Sequence, residues 1–199
     1  MLDKLNRKSF SSAGPRLSRL SISALALWLC LFSSVCLAGE KEFDPQVYLT
    51  KEQALAIAFP GADEIVKEKK WLTGEQKETI EKLCQQPIHE NRITYYVGMK
   101  DKKPMGYMII DHMVGKTFPI TFMVVLNVDG TVREVEIMIY REPRGGEVRN
   151  KSFLDQFLGM NAGSEFRDIH SITGATLSVR AITRGVQKAV AAYQVLYSR

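Results

Sequence analysis

The stretch PITFMVVLNVDGTVREVEIMIY, residues 119–140, reads as two strands, Pro119 to Val128 and Val132 to Tyr140, turned at Asp129-Gly130. An Asp-Gly pair suits the positive φ of a tight turn. In the second strand Val135, Ile137 and Ile139 alternate with Glu134, Glu136 and Met138, so one face is expected to be buried and the other more exposed. Upstream, Arg92 to Met99 carries the β-formers Ile93, Tyr95, Tyr96 and Val97. Asp101-Lys102-Lys103 then turns the chain into Gly106-Tyr107-Met108-Ile109-Ile110, which gives a second hairpin. An antiparallel sheet of about four strands is the expectation.

Helical patterns flank the strands. Thr50, with Gln53 three positions on, has the form of a capping box before a helix that Pro60-Gly61 stops. A second helix is expected from about Thr73 to Gln85, with Ile80, Leu83 and Cys84 on one side and Pro87 ending it. After the strands, a helix is expected around Asn150 to Leu158 and a longer one from about Leu177 to Tyr197. In the latter Val179, Ile182, Val186, Ala189, Val190, Tyr193 and Leu196 or Tyr197 recur at helical spacing. Helices, then strands, then helices, without regular βαβ alternation, define an α+β fold in which the sheet packs against N-terminal and C-terminal helices.

The chain has 199 residues and 45% hydrophobic content, enough for one core of ordinary size. Four of its five formal net positive charges lie in the first 38 residues, where Lys4, Arg7, Lys8, Arg16 and Arg19 face Asp3 alone. The basic excess therefore belongs to the leader, and no nucleic-acid partner is expected. The apolar run Leu20 to Leu37 and the small residues Cys36 and Ala38 before Gly39 have the form of a signal peptide cleaved after Ala38. An uncleaved membrane anchor or a lipid-modified Cys36 are the rival readings. All three put the body of the chain outside the cytoplasm, in a periplasmic or other extracytoplasmic space. Cleavage would leave Cys84 as the sole thiol, so neither an intramolecular disulfide nor a cysteine metal cluster is expected.

The segment Thr173-Gly174-Ala175-Thr176-Leu177-Ser178 sits where a loop becomes the last helix. Helix N-terminal amides and the positive end of the dipole favour an anion there. Gly174 allows a sharp turn, and Ala175 leaves room beside the hydroxyl of Thr176. Thr173 or Thr176 as a simple N-cap is the competing account.

Thr173-Gly174-Ala175-Thr176, followed by Ser178 and a helix with Ala181 and Gly185, resembles the Ser/Thr-Gly-Ala-Thr signature of the FMN-binding domain family. That domain occurs in flavin subunits of Rnf-type complexes and sodium-pumping NADH:quinone oxidoreductases, and the likeness runs over roughly residues 92–197. The resemblance implies FMN esterified through its phosphate to Thr176 by a separate flavin transferase that uses FAD and a divalent metal. A second segment, Tyr140-Arg141-Glu142-Pro143-Arg144-Gly145-Gly146-Glu147-Val148-Arg149, is similar to the subgroup containing the flavin domain of the nitrous-oxide-reductase regulator. It departs from the Thr-Pro-Gly-rich loop of other members. Gly145 and Gly146 would admit the flavin ring closely, while Arg141, Arg144 or Arg149 would offset its charge. Many members carry an acidic residue three positions before the signature, where this chain has His170; Asp168, five before Thr173, is the candidate for that role.

The domain expectation is therefore 1–38 leader, 39–91 linker and helical N-terminal part, and 92–199 FMN-binding domain. The functional expectation is an exported carrier that takes electrons from a membrane donor and passes them to another redox protein, without catalytic or metal-binding residues of its own. A small flavin reductase or quinol oxidase, a binding or sensory module, and a component of a membrane redox complex are the alternatives.

Overall fold

The computed structural model describes residues 44–198. The leader, Cys30, Cys36 and the first part of the expected linker lie outside those residues. Six strands form one antiparallel sheet: β1 (Gln46–Val47), β2 (Glu64–Trp71), β3 (Arg92–Lys100), β4 (Lys103–Val114), β5 (Pro119–Leu126) and β6 (Val132–Tyr140), in the order β1-β6-β5-β4-β3-β2. Four helices accompany them: α1 (Lys51–Ala58), α2 (Gly74–Cys84), the single turn α3 (Lys151–Leu154) and α4 (Thr176–Tyr197). The α+β class is as expected, but the sheet has six strands rather than about four. The two additions are its edges: β1 falls in the expected linker, and β2 in a charge-rich stretch, EIVKEKKW, with no clean apolar face. No helix among the described residues is long and apolar enough to cross a membrane.

The turns follow local chemistry. Asp101 and Lys102 take φ of 49° and 60°, giving the tight β3–β4 hairpin that a right-handed strand twist prefers. Between β5 and β6 only Gly130 is left-handed, at φ 85°, while Asp129 Oδ1 accepts the N–H and the hydroxyl of Thr131. Capping boxes start α1 at Thr50 and α2 at Thr73, with Gln53 and Gln76 answering from the first turn. The helix expected over Asn150 to Leu158 is shorter, α3 passing directly into a 3-10 turn at Asp155–Phe157.

The main core lies between α4 and one sheet face, with Tyr95, Phe122, Val124, Ile137, Ile182 and Val186 at its centre. Helix α4 buries a wider stripe than its spacing suggested, because α2 packs on a second side and covers Ala191 and Ala192 with Ile80 and Cys84. The opposite sheet face is also covered in part: Ala54, Ala58 and Phe59 close over Met108, Met123, Val125 and Met138. Met138, expected on the more exposed face of β6, is thereby buried.

Two β-bulges in β6 reset its alternation. Opposite Thr121 and Phe122 lie Ile139 and Ile137, leaving Met138 as the extra residue, and its carbonyl accepts the amides of Tyr48 at 2.8 Å and Leu49 at 3.2 Å. Beyond the bulge Tyr140 turns into the main core, while Ile139 packs against the α1 side.

Candidate functional site

Three chain segments meet at one end of the sheet. The first is the start of α4. Ile172 to Ala175 form a turn closed by the Ala175 amide on the Ile172 carbonyl at 3.0 Å, with Gly174 at φ 83°. Ala175 holds the N-cap position and supplies no side-chain cap. Neither Thr173 nor Thr176 caps this helix. Thr176 is its first residue and is exposed, and the amides of its first turn precede the first helical bond, from the Val179 amide to the Ala175 carbonyl at 2.9 Å.

The second segment is the loop after β6. The Tyr140 hydroxyl donates to the Arg144 carbonyl at 2.6 Å and lies 2.9 Å from Ser178 Oγ. A carbonyl can only accept, so the Tyr140 proton is committed to it and Ser178 is the donor to the Tyr140 oxygen. Burial pushes the Tyr140 phenol above its ordinary range, against the lowering effect of the Ser178 hydrogen bond, which keeps it a neutral donor. Gly145, at φ 91°, passes so close that a Cβ there would stand 2.8 Å from the Tyr140 oxygen and 3.0 Å from Ser178 Oγ. The loop and helix α4 are thus locked together through a glycine and two hydroxyls.

The third segment is the β4–β5 turn, Gly115 to Phe118. Glu142, only 4% exposed, accepts the amides of Thr117 at 2.6 Å and Phe118 at 2.8 Å on Oε1. This carboxylate ties the turn to the β6 loop and presents Lys116 beside the start of α4.

Two hollows lie on either side of Pro143-Arg144. One, of about 420 Å³, is lined by Lys116, Arg144, Gly174 and Thr176 to Ser178. The other, of about 570 Å³, is lined by Tyr48, Tyr140, Gly145 and Gly146, and shares Glu142, Pro143, Arg144 and Gly174 with the first. Thr176 also borders a third hollow of about 360 Å³, where Arg167, Arg180 and Arg184 stand.

The structure thus gathers Gly174, Ala175, Thr176, Ser178, Arg144, Gly145 and Gly146 at these hollows. Thr173 is exposed in the turn just before them. Ser178 is buried and engaged with Tyr140, so its hydroxyl organises the loop from within. Arg141 turns away, donating to the Pro119 carbonyl at 2.9 Å and Thr121 Oγ1 at 2.8 Å. Arg149 stacks 4.3 Å above the Tyr48 ring. Asp168 lies in a 3-10 turn, its side chain 78% exposed and nearest to Arg167, outside the lining of these hollows. Lys116, Glu142 and Tyr140 are the members that sequence reasoning did not assign a site role. An acidic residue between two arginines, in Arg141-Glu142-Pro143-Arg144, was the available hint of a buried carboxylate.

An exposed hydroxyl at an uncapped helix start, cations at the rim and a glycine-bearing hollow suit an anionic ligand. The comparisons with known proteins agree. Residues 115–191 match the FMN-binding domain family. A curated relative is a component of the proton-translocating ferredoxin:NAD(+) oxidoreductase complex of Clostridium ljungdahlii, 26% identical over 129 residues that cover 58% of this chain and 70% of the relative. Among solved structures, a component of the Na(+)-translocating NADH-quinone reductase of Parabacteroides distasonis superposes with a TM-score of 0.47 at 14% identity, over 69% of this chain and 79% of that one. NqrC of Shewanella oneidensis gives 0.42 at 17% identity, over 71% and 70%.

Proposed function

We propose that this chain carries FMN as a phosphoester on Thr176 and serves outside the cytoplasm as an electron carrier between a membrane donor and another redox protein. The observation that carries the reading is the Thr176 hydroxyl, exposed at the first residue of a 22-residue helix without a side-chain cap and bordering a hollow with Lys116 and Arg144. Amides of the first helical turn and these two cations suit a phosphate diester, which keeps one negative charge. The 420 Å³ and 570 Å³ hollows are of cofactor size. Bound there, FMN supplies a ring that accepts and releases one or two electrons.

The protein's own part is to hold and expose. Tyr140 and Ser178 fix the loop carrying Arg144, Glu142 fixes the turn carrying Lys116, and Gly145 and Gly146 leave backbone rather than side chains facing the larger hollow. Thr176 is an acceptor rather than a catalytic nucleophile. In the attachment, catalysed by the transferase, Thr176 Oγ forms a bond to the FMN phosphorus of FAD, the pyrophosphate bond breaks, AMP leaves and the hydroxyl proton is released. No electrons change hands.

The test is the intact mass of the protein coexpressed with a flavin transferase. The parent and Thr173→Ala should gain the mass of FMN less water, and Thr176→Ala should not. An increment retained in Thr176→Ala after acid denaturation would refute the assignment.

The relation to a component of a proton-translocating oxidoreductase supports a second reading, in which this chain is one member of a membrane redox complex. Copurification with integral membrane proteins in stoichiometric amounts would favour it over a free carrier.

A further inference from the structure

The sheet face opposite α4 is only half covered. Helix α1 has eight residues, about 12 Å of helix, and closes over one half of that face. The other half is a concave groove of about 490 Å³. Apolar Val47, Ile110, Met138 and Ile139 line it together with the polar Thr94 and His112, and Lys51 and Lys67 border it. Their ammonium nitrogens lie 5.2 Å and 5.9 Å from the centroid of the Tyr96 ring. No carboxylate lines the groove, and among the described residues neither lysine forms an ion pair.

Strand β2 extends the same character. Lys67, Lys69 and Trp71 alternate onto one face, with Trp71 69% exposed and the Arg92 guanidinium 5.4 Å from its ring. The intervening Glu68 points to the other face, where it pairs with Lys70 and accepts the Tyr197 hydroxyl. Charge is therefore sorted by face: the two lysines bordering the groove form no close ion pair, the nearest opposing charge to Lys51 being its solvent-exposed neighbour Glu52. Strand β1 is the wall between this groove and the site. Gln46 and Tyr48 line the 570 Å³ hollow beside Gly145 and Gly146, whereas Val47 and Leu49 line the groove.

We propose that this groove receives an acidic, amphipathic segment of the redox protein with which the chain exchanges electrons. The inference rests on the carrier reading above for the nature of the partner. Lysines free of close ion pairs, over a lining that holds no carboxylate, select an acidic occupant, and the apolar part of the lining selects one that also bears apolar side chains. An occupant there sits one strand away from the hollow at Gly145-Gly146, on the far side of the sheet from α4, where it blocks neither the Thr176 hydroxyl nor its modification.

The experiment uses the full chain and three probes: a dye-labelled synthetic helix with Leu on one face and Glu on the other, the same helix with Lys for Glu, and vesicles of phosphatidylglycerol. Anisotropy should show saturable binding of the Leu/Glu helix that weakens with salt. The Lys51→Glu/Lys67→Glu variant should lose roughly tenfold or more in affinity, since two exposed pairs become repulsions. The Lys102→Glu/Lys103→Glu variant, at the distant β3–β4 turn, should keep its affinity. All the substituted lysines are exposed, so unchanged thermal unfolding is the check on folding. Equal loss in both variants, equal binding of the Leu/Lys helix, or capture by vesicles through Lys51 and Lys67 without binding of the Leu/Glu helix would each overturn the proposal. The flavin-free Thr176→Ala chain should dock as well as the parent, so failure of docking and failure of flavin attachment are read separately.

Discussion

Three glycines at the site differ in what a methyl group would meet, and replacing each by alanine separates backbone strain from steric conflict. Gly146 has no left-handed φ, and a Cβ there would meet only ordinary contacts, the nearest being Tyr140 Cε1 at 3.7 Å. Gly174 is left-handed at φ 83° but faces open space, so Gly174→Ala should cost only the conformational term, about 1–2 kcal/mol. Gly145 combines φ 91° with a Cβ position 2.8 Å from the Tyr140 oxygen and 3.0 Å from Ser178 Oγ. Gly145→Ala therefore adds displacement of two buried hydrogen bonds, each about 0.5–1.5 kcal/mol, for a total of about 2–5 kcal/mol. Urea unfolding of the four proteins reads these values directly, and in thermal unfolding each kcal/mol corresponds to a midpoint shift of about 2–4 °C for a domain of this size. The expected order is Gly146→Ala near the parent, then Gly174→Ala, then Gly145→Ala. If Gly145→Ala were no worse than Gly174→Ala, the locking of the loop to α4 through Tyr140 and Ser178 would be refuted.

Other perturbations follow from the same contacts. Lys116→Ala should leave stability within about 0.5 kcal/mol but lower the reduction potential of the flavinylated protein, because a cation is lost where reduction adds negative charge; redox titration against the parent checks this. Lys188, its side chain 12% exposed, bridges Asp111 at 2.9 Å and Glu90 at 2.8 Å, so Lys188→Met should cost about 2–4 kcal/mol at neutral pH by leaving Asp111 without its counter-charge. Burial opposes ionisation of Lys188, but Asp111 and Glu90 outweigh it and raise the pKa above the usual 10.5; the contribution is complete below that value and is lost as pH rises through the folded pKa, a slope that Lys188→Met should abolish in urea titrations at alkaline pH. Gly185→Ala would place a Cβ 2.1 Å from Phe122 Cζ, and chemical denaturation should show a net loss of about 1–3 kcal/mol despite the better helix former, because α4 cannot lift from β5 without opening the core.

The hairpins and α4 were legible because their sequences carry period and turn chemistry strong enough to survive alone. Asp129-Gly130, the Val135/Ile137 alternation and the stripe from Val179 to Tyr193 are of this kind. Strand β2 was not legible: Glu64 to Trp71 alternates charges with charges, and only pairing with β3 makes it a strand, consistent with an edge that lysines protect from further pairing. At the candidate site, the resemblance singled out Thr176 and the glycines, which the fold brings to the same hollows, but the divergence of Arg141 from Arg144 could not be read, since it depends on the partners each finds on β5 and on the loop. Glu142 read as part of a charged turn because its partners, the amides of Thr117 and Phe118, lie 25 and 24 positions away in the chain.

The bulge at Met138 explains how these pieces come to present one hydroxyl. Without an extra residue in β6, the alternation of Val135 and Ile137 would carry Ile139 into the main core and turn Tyr140 to the α1 side. The bulge reverses this, and the Tyr140 hydroxyl enters the core beneath the start of α4. A phenol buried there requires partners, and it takes the Arg144 carbonyl and Ser178 Oγ. Drawing Ser178 inward fixes the rotation of the helix. Residues on an α-helix advance by about 100° each, so Thr176, two positions earlier, is rotated by about 160° from Ser178 and must face outward. The outward exposure of the Thr176 hydroxyl therefore depends on a backbone irregularity in strand β6.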